Sequence, residues 1–172
     1  MPSTVQFELG PSGNFTTWAD AMTAMVARTP VTSDEMVYLN VAANFTLGNS
    51  TTDRANANTD PTRHIVVRPK PGMGWRDLNP GATSRPSTGI LLTLNAGSGG
   101  SVISSNGFVF EGFLLECTGT TSGKPGLNLG TTASGGKFGG ARYNWIRCDT
   151  TNTYGVLVNK MPETSGAALT NI

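Results

Sequence analysis

The chain has 172 residues, of which only 13% are charged, and its formal net charge at pH 7 is +1. Thr, Gly, Asn and Ser together supply 73 residues (24, 22, 14 and 13). This composition argues against a helical bundle or coiled coil, which needs many long charged side chains. The near-neutral charge argues against electrostatic binding to nucleic acid or to an anionic membrane. A hydrophobic fraction of 37% is enough for the core of one domain.

One amphipathic helix is predicted near the N-terminus. Thr17 followed by Asp20 resembles a capping box, and Pro30 would end the helix. We predict a helix over 17–27, within an N-terminal segment that spans 1–30. The apolar residues at helical spacing are Trp18, Ala21, Met22, Met25 and Val26.

Beyond this segment, residues 31–172 contain short β-rich runs separated by loops rich in Gly, Ser, Thr, Asn and Pro. Two of these loops are long, at 48–62 and 69–89. Because no helical pattern lies between the strands, βαβ units are not expected, and an antiparallel sandwich or a β-solenoid remains. The predicted strands are Met36–Val41, Ile65–Arg68, Ile90–Leu94, Phe108–Cys117, Asn144–Cys148 and Gly155–Val158.

An internal repeat favours the solenoid. The five residues that end at Cys117 align with the five that end at Cys148, at an offset of 31 (148 − 117). In both segments an aliphatic residue and a charged residue, Glu116 or Arg147, precede the Cys. Periods of 20–50 residues are typical of solenoids. We therefore expect the two Cys to stack on adjacent strands as free thiols, and Glu116 and Arg147 to form a surface ion pair.

Three segments resemble a known superfamily. Gly13–Met22 resembles the entry to the pectate-lyase-like right-handed parallel β-helices, and Ser105–Cys117 and Tyr143–Cys148 resemble their recurring coils. The resemblance implies an all-β fold, a single-stranded right-handed parallel β-helix (solenoid) with an N-terminal capping α-helix. It also implies a function, since the superfamily includes polysaccharide lyases and esterases as well as tailspike, fibre and decoration proteins of tailed bacteriophages.

Enzymes on that fold use charged residues clustered on one face. The late strands offer Glu111, Glu116, Arg142, Arg147 and Asp149, but no two carboxylates recur at equivalent positions of the repeat. We therefore predict no catalytic residues, no cofactor and no metal site, while a polysaccharide lyase or hydrolase remains the alternative.

The remaining candidates lie in loops. His64, the single histidine, is interpreted as an ordinary residue at a strand edge. Trp75, Arg76 and Asp77 lie in a stiff Pro/Gly-rich excursion and are the predicted partner-binding residues. In the alternative interpretation, Trp75 anchors its own loop.

Two functional hypotheses follow. The first is a non-catalytic structural virion protein of a tailed bacteriophage, most specifically a capsid decoration (cement) protein, with a tail fibre or tailspike component as its variant. The second is a carbohydrate-active enzyme or sugar-binding module. The first expects other virion proteins and copies of the chain itself as partners, with a glycan as a further candidate, and no nucleic acid or membrane. Met1–Leu9 shows no signal-peptide pattern, so we expect a virion protein made in the host cytoplasm.

Overall fold

A computed structural model describes residues 3–27, 35–48, 65–95, 103–105, 108–118, 124–129, 140–148 and 153–158. Among these residues, no helix is both long and apolar enough to cross a membrane. The two helices are α1 (Trp18–Ala27) and α2 (Trp75–Leu78). The strands are β1 (Ser3–Leu9), β2 (Glu35–Val41), β3 (Phe45–Leu47), β4 (Ile65–Pro69), β5 (Leu91–Asn95), β6 (Ile103–Ser105), β7 (Phe108–Glu111), β8 (Leu114–Thr118), β9 (Lys124–Leu129), β10 (Gly140–Arg142), β11 (Trp145–Cys148) and β12 (Thr153–Val158).

The predicted N-terminal helix is confirmed as α1. At its start the Asp20 backbone N–H donates to Thr17 Oγ1 (3.2 Å), and the Thr17 hydroxyl donates to Asp20 Oδ2 (2.6 Å). The predicted apolar stripe is buried at Trp18, Met22 and Met25. Because this stripe belongs to the main hydrophobic cluster, α1 is held by burial of its apolar face rather than by its capping bonds alone.

The strands form three parallel sheets. The first has the order β1-β2-β4-β7-β10, the second β11-β8-β5-β3 and the third β12-β9-β6. The strand β1 was not predicted from the sequence, and it pairs with β2 along its whole length.

The 31-residue repeat is confirmed by the register of β8 and β11. Glu116 lies beside Arg147, and Cys117 lies beside Cys148. The same offset relates β7 to β10, where Glu111 lies beside Arg142. The repeat therefore reports which strands are neighbours.

The core lies against the inner faces of the first two sheets and α1. Strand β4 is buried continuously over Ile65–Val67, whereas in β5 the buried Leu92 and Leu94 alternate with more exposed residues. The largest fully buried side chains are Phe108, Phe110, Phe113, Leu9, Met22, Met25, Leu39, Ile65, Leu92, Leu94 and Leu115.

The prediction of a single-stranded right-handed parallel β-helix (solenoid) is wrong. The strands are divided among three separate sheets of five, four and three strands, and no closed coil joins the sheets among the described residues. The repeat encodes the pairing of neighbouring strands, and it does not fix the path of the connections between the sheets. Here the connections between successive strands differ widely in length, from the short turn Gly112–Phe113 to the long stretch between Leu47 and Ile65. The predicted loop over 48–62 lies, beyond Gly48, outside the described residues.

Asparagine side chains extend the hydrogen-bond ladder at two turns. Asn44 Oδ1 accepts the Leu91 backbone N–H (2.8 Å), and Asn144 Oδ1 accepts the Phe113 N–H (2.9 Å). The two turns are equivalent, because each Asn precedes a strand whose first residue pairs with the residue after the donor. Asn144 also donates from Nδ2 to the Phe110 carbonyl (3.0 Å). These side chains satisfy backbone groups that the strands leave unpaired.

Candidate functional site

The candidate site lies beside α2, in the excursion between β4 and β5. Asn79 closes this excursion, since its Nδ2 donates to the Trp75 carbonyl (3.1 Å) and to the Thr88 carbonyl (3.1 Å). The Ile90 backbone N–H donates to the Met73 carbonyl at the base (3.2 Å). The excursion is therefore fixed by bonds across its own neck.

Trp75 attaches α2 to the sheets. Its indole N–H donates to the Tyr143 carbonyl (2.8 Å), and its ring meets the Trp145 ring edge-on at a centroid distance of 5.9 Å. These contacts make Trp75 an anchor of its own loop, as in the alternative interpretation of the sequence. Arg76 and Asp77, the other two residues predicted to bind a partner, are exposed.

Gly89 permits the close approach of α2. Its φ of 143° is rarely adopted by L residues, and a Cβ atom added there would lie 2.9 Å from the Trp75 Cβ. Only glycine fits this position without displacing α2.

A polar cleft of about 420 Å³ opens beside α2. Its walls come from the end of β4, from α2 and from the turn that follows β7. The lining residues are Arg68, Pro69, Pro71, Gly74, Arg76, Asp77, Glu111 and Gly112.

Arg68 is held in place from two directions. Its guanidinium lies over the Tyr38 ring, 3.9 Å from the centroid, and its Nε donates to Asn40 Oδ1 (3.0 Å). Asn40 is buried and donates in turn to Gln6 Oε1 (2.9 Å). The polar side chains thus form a row across β1, β2 and β4 that ends at the cleft.

The Arg76 side chain stacks on Tyr143, a residue with a strained backbone. Its guanidinium lies over the Tyr143 ring, 4.2 Å from the centroid. Tyr143 has a φ of 57°, whereas Gly112, at the equivalent turn one repeat earlier, adopts 79°. A bulky residue in the left-handed region costs about 1–2 kcal/mol. Backbone strain of this kind is often retained at functional positions.

The carboxylates of the cleft already have partners. Glu111 Oε2 accepts hydrogen bonds from Arg142 Nη2 (2.7 Å) and Arg142 Nε (3.0 Å). Asp77 Oδ2 accepts the Gly72 backbone N–H (3.0 Å). The guanidinium groups of Arg68 and Arg76 are therefore more available to a ligand than the two carboxylates are.

The predicted ion pair between Glu116 and Arg147 is confirmed, with a distance of 3.5 Å from Arg147 Nε to Glu116 Oε1. His64 and Asp149 lie outside the described residues. Within the part of the chain that the structure describes, no group of three or more His, Cys, Asp or Glu residues could hold a metal ion.

The two cysteines are free thiols, as predicted. Cys117 is buried and Cys148 is exposed. Burial, and then the neighbouring Cys148, raise the pKa of the Cys117 thiol to about 12. Cys117 is therefore protonated at neutral pH and behaves as a small apolar core residue.

Sequence reasoning identified Arg76 and Asp77 but missed Arg68, Tyr38 and Tyr143. One available signal was Arg68, which directly follows the apolar run Ile65–Val67 in β4, and another was Tyr38, which alternates with the apolar residues of β2. The position of Tyr143, one repeat after Gly112, was a third signal.

The protein is thus built mainly from parallel β-sheets, and it carries a cleft lined by two arginines beside α2. Comparisons with protein-family models, curated proteins and solved structures found no match to this chain. The resemblance to the pectate-lyase-like superfamily thus stays a prediction.

Proposed function

We propose that this chain is a non-catalytic structural protein of a tailed-bacteriophage particle, and specifically a capsid decoration protein. The observation that carries the proposal is the α2 excursion, which is fixed at its neck and exposes Arg76, Asp77 and Leu78 (49% exposed). A fixed surface excursion with an exposed large apolar side chain suits docking onto another protein, because little ordering is required on binding.

The ion pairs between adjacent strands support a structural role. Glu111 pairs with Arg142 (2.7 Å) and Glu116 with Arg147 (3.5 Å). A general acid or nucleophile needs a carboxylate that is available to substrate. These two carboxylates instead hold neighbouring strands together.

Composition supports a virion surface. The chain is poor in charged residues and rich in Thr, Gly and Asn, a composition that resembles many virion surface proteins. On this proposal the partners are other virion proteins and copies of the chain itself.

Immunogold labelling tests the proposal. Particles are purified from a lysate of cells that carry this coding sequence, and an antibody against the chain is applied. Gold on the heads of tailed particles is expected. Gold confined to tails would replace capsid decoration with a tail component, and unlabelled particles would refute a virion role.

A matched assay tests the enzyme alternative. The purified chain is incubated with polygalacturonate, and unsaturated products are followed by ultraviolet absorbance. We expect no products. Cleavage that is lost in Glu116→Gln but kept in Arg76→Gln would establish an enzyme and overturn the proposal.

A further inference from the structure

We propose that the cleft beside α2 binds the carboxylate of an Asp or Glu side chain carried by an extended segment of a partner protein. The inference rests on the proposed function in one respect, namely that the chain docks onto another protein. It adds the chemistry of the contact.

Arg68 is the first recognition group. Tyr38 covers one face of its guanidinium and Asn40 fixes its Nε, so the plane of the group is set before any ligand arrives. Its two outer nitrogens donate to no described residue. A planar guanidinium with two free N–H groups on one edge matches a carboxylate in bidentate geometry.

Arg76 is the second recognition group. It enters the cleft from α2 and stacks on Tyr143. Beyond this stacking, it contacts no charged partner among the described residues. The chain keeps Tyr143 in a conformation that Gly112 adopts without cost at the equivalent turn. Stacking of the Arg76 guanidinium on the Tyr143 ring explains why a tyrosine is kept at this strained position.

The charge balance selects a single negative group. The cleft is lined by two guanidinium groups, those of Arg68 and Arg76, and by two carboxylates, of which that of Glu111 is already paired with Arg142 outside the lining. The charges that remain are those of Arg68, Arg76 and Asp77. The surplus is one positive charge. One carboxylate neutralises this surplus, whereas a doubly charged phosphate would leave a net negative charge beside Asp77.

A peptide fits better than a glycan. Sugar sites stack pyranose rings on open aromatic faces, but here Tyr38 and Tyr143 each carry a guanidinium on a face. The Trp75 indole N–H is also occupied. On the same helix, the exposed Leu78 offers an apolar contact of the kind a peptide side chain uses.

The test uses NMR on the isolated ¹⁵N-labelled chain. The probe is the peptide acetyl-Leu-Gly-Glu-Gly-Leu-amide, and its matched control has Gln in place of Glu. We expect the Glu peptide to shift the Nε–H signals of Arg68 and Arg76 and to bind about tenfold more tightly than the Gln peptide, the scale of a charge-assisted hydrogen bond.

Three variants locate the site. Arg68→Gln and Arg76→Gln should each weaken binding about tenfold, and Arg147→Gln, a charge removal away from the cleft, should not change it. Arg76 is exposed, so its variant keeps the test valid if Arg68→Gln fails to fold. Backbone amide spectra report folding in each case.

Two results would overturn the inference. One is equal binding, or no binding, of the Glu and Gln peptides at millimolar concentration. The other is tighter binding of tetragalacturonate than of the Glu peptide, which would indicate a glycan site. Neither result depends on gold labelling of particles, so a failure here is distinct from a failure of the virion proposal.

Discussion

Replacement of Asn144 by alanine tests how the turns between sheets are held. The substitution removes the acceptor for the Phe113 backbone N–H (2.9 Å) and the donor to the Phe110 carbonyl (3.0 Å). Phe113 is fully buried. Water therefore has poor access to its N–H once the asparagine side chain is gone.

The magnitude follows from the two lost bonds. An unsatisfied buried donor costs about 1–3 kcal/mol, and the second bond contributes about 0.5–1.5 kcal/mol. Asn144→Ala should therefore lower the free energy of unfolding by about 1.5–4.5 kcal/mol. Asn44→Ala is the matched control, because Asn44 is exposed and, among the residues that the structure describes, accepts a single hydrogen bond, from the Leu91 N–H (2.8 Å). We expect it to cost about 0.5–1.5 kcal/mol.

Urea unfolding of the two variants beside the parent chain gives the measurement. A loss for Asn144→Ala that equals the loss for Asn44→Ala would refute the reasoning. So would a loss below about 0.5 kcal/mol, the size of an ordinary surface substitution.

Four further outcomes are expected. Tyr143→Gly should be more stable to urea than Tyr143→Ala by about 1 kcal/mol, because both lose the ring but only glycine relieves the positive φ; equal stabilities would show that the position is unstrained. Iodoacetamide at pH 8 should label Cys148 and leave Cys117 unmodified until the chain unfolds, and labelling of both in the folded chain would contradict the burial. Since the folded pKa of Cys117 is raised from 9.0 to about 12, its contribution to stability is complete below pH 9 and is lost as pH rises toward 12, which urea unfolding at several pH values would detect. Gly89→Ala should destabilise the chain more than Gly81→Ala, since both have positive φ but only the Cβ at 89 meets α2; equal losses would show that α2 yields freely.

The parts of the fold that could be predicted from the sequence are those encoded by a regular spacing of residue types. The helical stripe of α1 depends on residues three and four positions apart, and its burial follows from the apolar side chains themselves. The register of Cys117 and Cys148 was visible because both strands repeat the same pattern. Such patterns identify neighbours without tertiary information.

The path of the chain between the sheets and the position of the cleft could not be predicted in the same way. That path depends on the lengths of the loops, which carry no apolar period. The row that orients Arg68 joins Gln6, Asn40 and Arg68 across sequence separations of 34 and 28. Neither separation equals the 31-residue repeat, and so the partners are identified only once β1, β2 and β4 are paired.

Electron cryomicroscopy of the particle heads tests the central claim most directly. A reconstruction of heads from tailed particles that carry this coding sequence should show repeated density on the outer capsid surface. That density should match the five-stranded parallel sheet with α1 packed against it, and α2 should face the capsid shell. A capsid surface without such density, in particles whose protein content includes the chain, would contradict the assignment as a decoration protein.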